Sequence, residues 1–175
     1  MDETDEFNIV DYGTTVEAFA ESAVPITEIS GAAALSYIED IEAWERQAGI
    51  TVSPGDVIFI RTGRWARRAE RGPWRVSGNS AGLHASVLPW IQERGVAFVG
   101  SDAATDVMPS LVEGITQPVH TMLIAGLGVN IFDNMDLEAL AETAAQENRW
   151  EFMLTASPIP VDGGTGSPLN PIAIF

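Results

Sequence analysis

Two short runs of β-branched and aromatic apolar residues constrain this chain most: Val57–Arg61 (VIFIR) and Val96–Gly100 (VAFVG). Both read as strands. The second is apolar at every position, as in a sheet buried on both faces. The turn Pro54-Gly55-Asp56 precedes the first, and Gly95 precedes the second. The segments around them carry helical signals. Over Ser30–Ala48, Leu35, Ile38, Ile41 and Trp44 recur on one helical face, Ser30 is a candidate cap and Gly49 a candidate stop. A second helix is expected over Ala85–Arg94, with Pro89 in its first turn. A short one is expected over Val119–Ala125, and an amphipathic one over Asp136–Gln146. Val129–Phe132, Trp150–Ala156 and Pro171–Phe175 complete the expected strands. Arg61–Arg75, broken by Gly63, Gly72 and Pro73, reads as an extended loop. Strands and helices alternate without a strict βαβ rhythm, so the fold class is mixed α/β.

Composition narrows the chemistry. The 175 residues contain no cysteine, and all nine basic residues are arginine. Disulfides, thiolate metal sites, thiol nucleophiles, a Walker A lysine and a Schiff-base lysine are therefore excluded. Only two histidines are present, His84 and His120. The net charge of −16 disfavours nucleic acid and anionic membrane surfaces as partners. No run is long enough for a membrane span, and the acidic start Met1–Glu6 is unlike a signal peptide, so a cytoplasmic location is expected. Six of the nine arginines fall within Arg61–Arg75, whereas residues 1–50 carry twelve acids and one arginine.

Several constellations could carry chemistry. Gly78-Asn79-Ser80-Ala81-Gly82 matches the G-x-S-x-G nucleophile elbow, with Asp102 or Asp106 and then His120 downstream. The residues before it do not form the buried strand an elbow needs, so a loop is the better reading. Gly163–Pro168 lacks both lysine and a following helix, and reads as a tight loop rather than a phosphate cradle. His120 opens an apolar segment, and Asp133 follows thirteen residues later at the end of a strand. A helix start and a strand end can converge there, and histidine with carboxylate suits a hydrolytic metal site. A hydrogen-bonded core histidine is the competing reading. The arginine run could receive a carboxylate substrate or a neighbouring subunit's acidic face, and Trp65 and Trp74 within it could line a substrate mouth.

Together these stretches resemble the cyclase family of metal-dependent hydrolases, which includes kynurenine formamidases and isatin hydrolases. The residues that carry the resemblance begin with Pro54-Gly55-Asp56-Val57-Ile58-Phe59-Ile60-Arg61-Thr62-Gly63, which matches PGDVxxxRTG. In order there follow Ala81-Gly82-Leu83-His84-Ala85, Glu93-Arg94-Gly95-Val96, Val99-Gly100-Ser101-Asp102 and Pro118-Val119-His120. Asp133-Asn134 with Leu137-Glu138, and Gly164–Pro171, close the series.

The resemblance implies a β-barrel-like core flanked by helices, homo-oligomeric assembly, and hydrolysis of an amide or lactam C–N bond. The implied cofactor is a divalent metal, zinc or manganese. The substrate is a small-molecule amide or lactam, arylformamidase-like, with a place in tryptophan breakdown through kynurenine. His120 and Asp133 fall at the metal-site positions, Asp133 where the family commonly has glutamate. His84 and Trp65 are the substrate-binding candidates. The family's H-x-G-T-H-x-D motif, expected upstream of Ile26, does not occur in the sequence. The expected organisation is therefore an acidic segment, residues 1–25, followed by the C-terminal portion of a hydrolase domain, residues 26–175, with the core incomplete at its N-terminal side. Weak or absent hydrolysis is expected of the isolated chain. The alternative is a non-catalytic binding or oligomerisation homologue.

Overall fold

A computed structural model of the chain describes residues 6–7, 24–25, 31–75 and 79–175. Strands β1 (Glu6–Phe7) and β2 (Val24–Pro25) pair antiparallel. Helix α1 (Gly31–Ala48) follows, and Gly49 leaves it with φ 69° in the left-handed region. The candidate cap Ser30 and the side chain of Leu35 lie outside the described residues. Ile38 and Ile41, as their spacing predicts, pack against the core.

Strands β3 (Val57–Ile60), β4 (Phe98–Ser101) and β5 (Asn130–Phe132) form a parallel sheet in the order β3-β4-β5. Ile58 lies opposite Val99, and Val99 opposite Ile131. Because side chains alternate across a strand, this register sorts the sheet into two chemically different faces. Ile58, Val99 and Ile131 meet the aliphatic core, which includes Leu83, Val87, Ile91, Val119 and Leu123. Phe59, Phe98 and Phe132 stand on the other face. Phe98 stacks on Phe132 at 5.3 Å between ring centroids, and Phe59 stacks on Phe152 at 6.1 Å. Gly100 lies between these rings: a Cβ there would press into Phe59 and come within 2.7 Å of Met135 Sδ. Its small size lets the aromatic layer close.

The crossover from β3 to β4 carries α2 (Arg64–Arg71), a 3₁₀ turn at Ala85–Val87 and α3 (Leu88–Arg94). The crossover from β4 to β5 carries the short α4 (Pro118–His120), which continues as a π-helical segment over Thr121–Leu127. Helix α5 (Glu138–Glu147) follows β5, and β6 (Met153–Thr155) pairs antiparallel with β7 (Ile172–Ile174). The mixed α/β class holds. Among the described residues the strands form three separate small sheets, and no closed barrel is present.

One element differs from its sequence reading. Much of the arginine-rich stretch is helical rather than extended. Gly63 (φ 79°) and Gly72 (φ 81°), read as breakers inside a loop, bound α2 instead. The helix is held by one contact from a distant segment and one from within the stretch. Asp102 Oδ2 accepts the Arg64 N–H at 3.1 Å, and Arg67 stacks over Trp74 at 4.2 Å. No helix among the described residues is long and apolar enough to cross a membrane.

Candidate functional site

The carboxyl ends of the three parallel strands converge on one polar cluster, where open α/β sheets place their ligand crevices. Thr62 and Arg64 follow β3, Asp102, Thr105 and Asp106 follow β4, and Asp133 follows β5.

Asp106 is fully buried and organises the centre. Its Oδ1 accepts the Val119 N–H at 2.7 Å, and its Oδ2 accepts the His120 N–H at 3.0 Å. The residue before α4, Gln117, supplies no capping hydrogen bond. A carboxylate eleven residues before Gln117, that of Asp106, takes that role, favoured by the positive end of the helical turn. The same Oδ2 lies 2.5 Å from His120 Nδ1. Asp106 thus fixes both the start of the helix and the orientation of the ring it carries.

The other ring nitrogen, His120 Nε2, lies 2.8 Å from Asp133 Oδ2. Asp133 is aimed in turn by Thr105, whose N–H and hydroxyl both donate to Oδ1 at 2.8 Å. The imidazole is therefore gripped between two carboxylates. Its pKa is pushed from 6.5 up to about 9, first by the Asp106 hydrogen bond and then by that of Asp133, with burial opposing. For Asp133, burial acts upward, but the hydrogen bonds from His120 and Thr105 outweigh it and hold the carboxyl below its usual range.

Beside this cluster, Asp102 is fully buried and accepts the Thr62 N–H and hydroxyl at 2.7 Å each, together with the Arg64 N–H. Burial is the leading influence and raises its pKa, against these hydrogen bonds. Arg61 reaches the first turn of α5 and forms a two-pronged ion pair with Glu138, at 3.0 and 2.7 Å.

The sequence candidates divide in space. His120 and Asp133 come together directly. Trp65 lies close by: its Nε1 donates to the Met135 carbonyl at 2.7 Å, two residues beyond Asp133. His84 makes its side-chain hydrogen bonds to Ser86 rather than to the cluster. Its Nδ1 accepts the Ser86 N–H at 3.2 Å and caps the 3₁₀ turn. Its neighbour Leu83 pairs with the Thr105–Val107 segment. The nucleophile-elbow reading fails. Ser80 is buried, its hydroxyl donates to the Ala81 carbonyl, and His120 is committed to two aspartates. Gly163–Pro168 is a turn closed by the Gly164 N–H donating to Val161 and the Ile159 N–H donating to Ser167 Oγ.

Sequence reasoning considered Asp106 only as a triad partner and overlooked Thr105. The available signal was the segment Ser101–Val107 (SDAATDV), whose two aspartates sit among small and apolar residues rather than in a solvent-type loop.

Residues 11–106 match the cyclase family model, more than half of the chain. The chain belongs to the cyclase family. The matched stretch includes Asp102, Thr105 and Asp106 and stops short of His120 and Asp133. Among solved structures, one described as a novel cyclase is 35% identical, with a TM-score of 0.64, over 78% of this chain and 46% of that one. An isatin hydrolase bound to the product analogue thioisatinate is 23% identical, with a TM-score of 0.59, over 77% of this chain and 50% of that one. Isatin hydrolase A from Ralstonia solanacearum is 19% identical, with a TM-score of 0.62, over 95% of this chain and 70% of that one. At those identities the two isatin hydrolases show a shared fold. The chain spans about half the length of the first two of these structures. No curated protein matches it.

The donor chemistry permits a test of the metal that the family implies. His120 Nε2 and Asp133 Oδ2 converge, and the carboxylate behind Nδ1 is the orienting partner that metal-binding histidines commonly have. Two donors therefore fit. Among the described residues no group of three or more histidine or carboxylate side chains could hold an ion. A cavity of about 480 Å³ lies elsewhere, lined by Trp44, Phe59, Trp150 and Phe152 among others, and none of Asp106, His120 and Asp133 borders it.

Proposed function

We propose that this cyclase-family chain is part of a metal-dependent hydrolase acting on the C–N bond of a small amide or lactam, arylformamidase-like, in tryptophan breakdown. The observation that carries the reading is the Asp106–His120–Asp133 relay, built at the carboxyl ends of three parallel strands. His120 and Asp133 would hold the cation, zinc or manganese. Further donors would come from outside the described residues. Bound there, such an ion polarises a carbonyl and lowers the pKa of water.

The chain's own residues have separate tasks. Asp106 orients the ring through Nδ1 and anchors its backbone. Thr105 holds Asp133 by one oxygen and leaves the other facing Nε2. Loading a cation requires His120 to give up its Nε2 proton, so affinity should rise with pH. Trp65, pinned to Met135, supplies an aromatic wall beside the centre. Homo-oligomeric assembly belongs to the same proposal. It is supported by the exposed apolar residues Met122 and Ile124 on the π-helical segment.

A second reading, a non-catalytic binding homologue, is favoured by the lack of a third donor among the described residues. The deciding experiment is zinc and manganese titration calorimetry on the purified chain and on His120→Ala, with hydrolysis of isatin and N-formylkynurenine followed in parallel. Stoichiometric binding and turnover, both lost in His120→Ala, support the hydrolase. Absence of binding and turnover at pH 8 would select the non-catalytic reading.

A further inference from the structure

Among the partly buried arginines, Arg61, Arg64 and Arg94 invite comparison. Arg61 is paired by two prongs with Glu138, and Arg94 donates to Glu45 at 3.0 and 3.4 Å. Arg64 is different. Among the described residues its side chain makes one hydrogen bond, from Nη1 to the Asp102 main-chain carbonyl at 3.3 Å, and its buried Nε has no acceptor. The nearby Asp102 carboxylate is occupied by Thr62 and by the Arg64 main-chain N–H. In a chain with 25 acids and nine arginines, a partly buried guanidinium with no carboxylate hydrogen-bonded to its fork is conspicuous. Buried charges are ordinarily paired, because an unpaired one costs much of its hydration.

The surroundings hold this cation ready. Its guanidinium carbon lies 5.2 Å from the Trp65 ring centroid and 5.8 Å from that of Trp74. Both rings are tied down: Trp65 Nε1 donates to Met135, and Trp74 Nε1 donates to the Asn79 carbonyl at 2.9 Å. Burial, the leading influence, lowers the Arg64 pKa, the charge of Asp102 opposes it, and the neighbouring Arg68 adds to the lowering. Met135, which Trp65 contacts, is two residues from Asp133, about 7 Å of extended chain.

We propose that Arg64, clasped by Trp65 and Trp74, is a carboxylate-binding subsite that selects a small aromatic acid beside the His120–Asp133 centre. The guanidinium takes the carboxylate, and the indole faces take the flat apolar body. The subsite rests on the Arg64 geometry. Only its assignment to substrate or product rests on the hydrolase reading, and a binding measurement without turnover keeps the two apart.

The test is an NMR titration of the full chain with sodium benzoate, and with neutral benzamide as control, at constant ionic strength. It follows the Arg64 Nε–H and the Trp65 and Trp74 indole N–H signals. Saturable benzoate shifts at these three signals are expected, with benzamide at least ten-fold weaker. Arg64→Met should weaken benzoate ten-fold or more while retaining the wild-type melting temperature. Should that variant not fold, Arg64→Lys keeps the charge and loses the planar fork, and it should still bind more weakly than wild type. Equal binding of benzamide, shifts located elsewhere, no saturation with benzoate, or wild-type affinity in a folded Arg64 variant would each overturn the proposal. Tighter binding of an oligo-aspartate peptide than of benzoate would overturn the small-acid assignment.

Discussion

Replacing Asp106 by alanine tests the central claim about the site. The carboxylate is fully buried and accepts three hydrogen bonds, from the Val119 N–H, the His120 N–H and His120 Nδ1. Hydrogen bonds to a charged group contribute about 1.5–3 kcal/mol each, but three sharing two oxygens do not add. Removing one member of a buried charged network costs about 3–5 kcal/mol. A loss of about 4 kcal/mol at pH 7 is therefore expected, large against a total of about 5–15 kcal/mol. In urea denaturation followed by circular dichroism, this moves the midpoint down by about 2 M with an unchanged slope. The same variant tests the electrostatics. The folded pKa of His120, about 9, lies above its unfolded value of 6.5. Its contribution is thus present in full below pH 6.5 and is lost as pH rises through 9. The shift corresponds to about 3 kcal/mol, discounted to about 2 kcal/mol because the Asp133 side is open to solvent. Wild type should lose that much between pH 6 and 10, and Asp106→Ala clearly less, with its His120 midpoint moved down in an NMR titration. A destabilisation below about 1 kcal/mol, or an unmoved His120 midpoint, would refute Asp106 as the organiser.

Other outcomes follow from the same geometry. A Cβ at Gly82 would lie 2.7 Å from the Val107 nitrogen, against backbone that cannot swing aside, so Gly82→Ala should cost about 1–3 kcal/mol in urea melts and broaden the His120 signals. Arg61→Ala and Glu138→Ala should each destabilise by about 2 kcal/mol, and the double variant by little more; strict additivity would show that the two-pronged pair is uncoupled. In acid, Asp133 works in the opposite sense to His120. Its folded pKa is lowered, so its contribution is present above the ordinary value of 3.8 and is lost as pH falls below it. Asp133→Asn should flatten this acid limb of the stability profile.

Much of the scaffold was legible because local physics governs it. The apolar runs around Ile58 and Val99 became the sheet, and Gly49 and Gly95 ended their helices with positive φ as their positions suggested. The approach of His120 to Asp133 followed from a helix start and a strand end, though nothing in that spacing revealed what stands behind the ring. The helix in the arginine run was missed. Its glycines look like breakers locally, whereas its partner Asp102 is contributed by another segment.

By itself, the sequence determined most strands and helices outside the arginine run, the exclusion of thiol and lysine chemistry, and the motif series shared with the cyclase family. These depend on residue type and short spacing, which the chain carries locally. Only the tertiary structure decided that Asp106 rather than Asp102 backs His120, that Thr105 aims Asp133, and that the Arg64 side chain makes no hydrogen bond to a carboxylate among the described residues. Each of those depends on which buried groups desolvate one another, and burial is a property of the packed whole rather than of any stretch of chain.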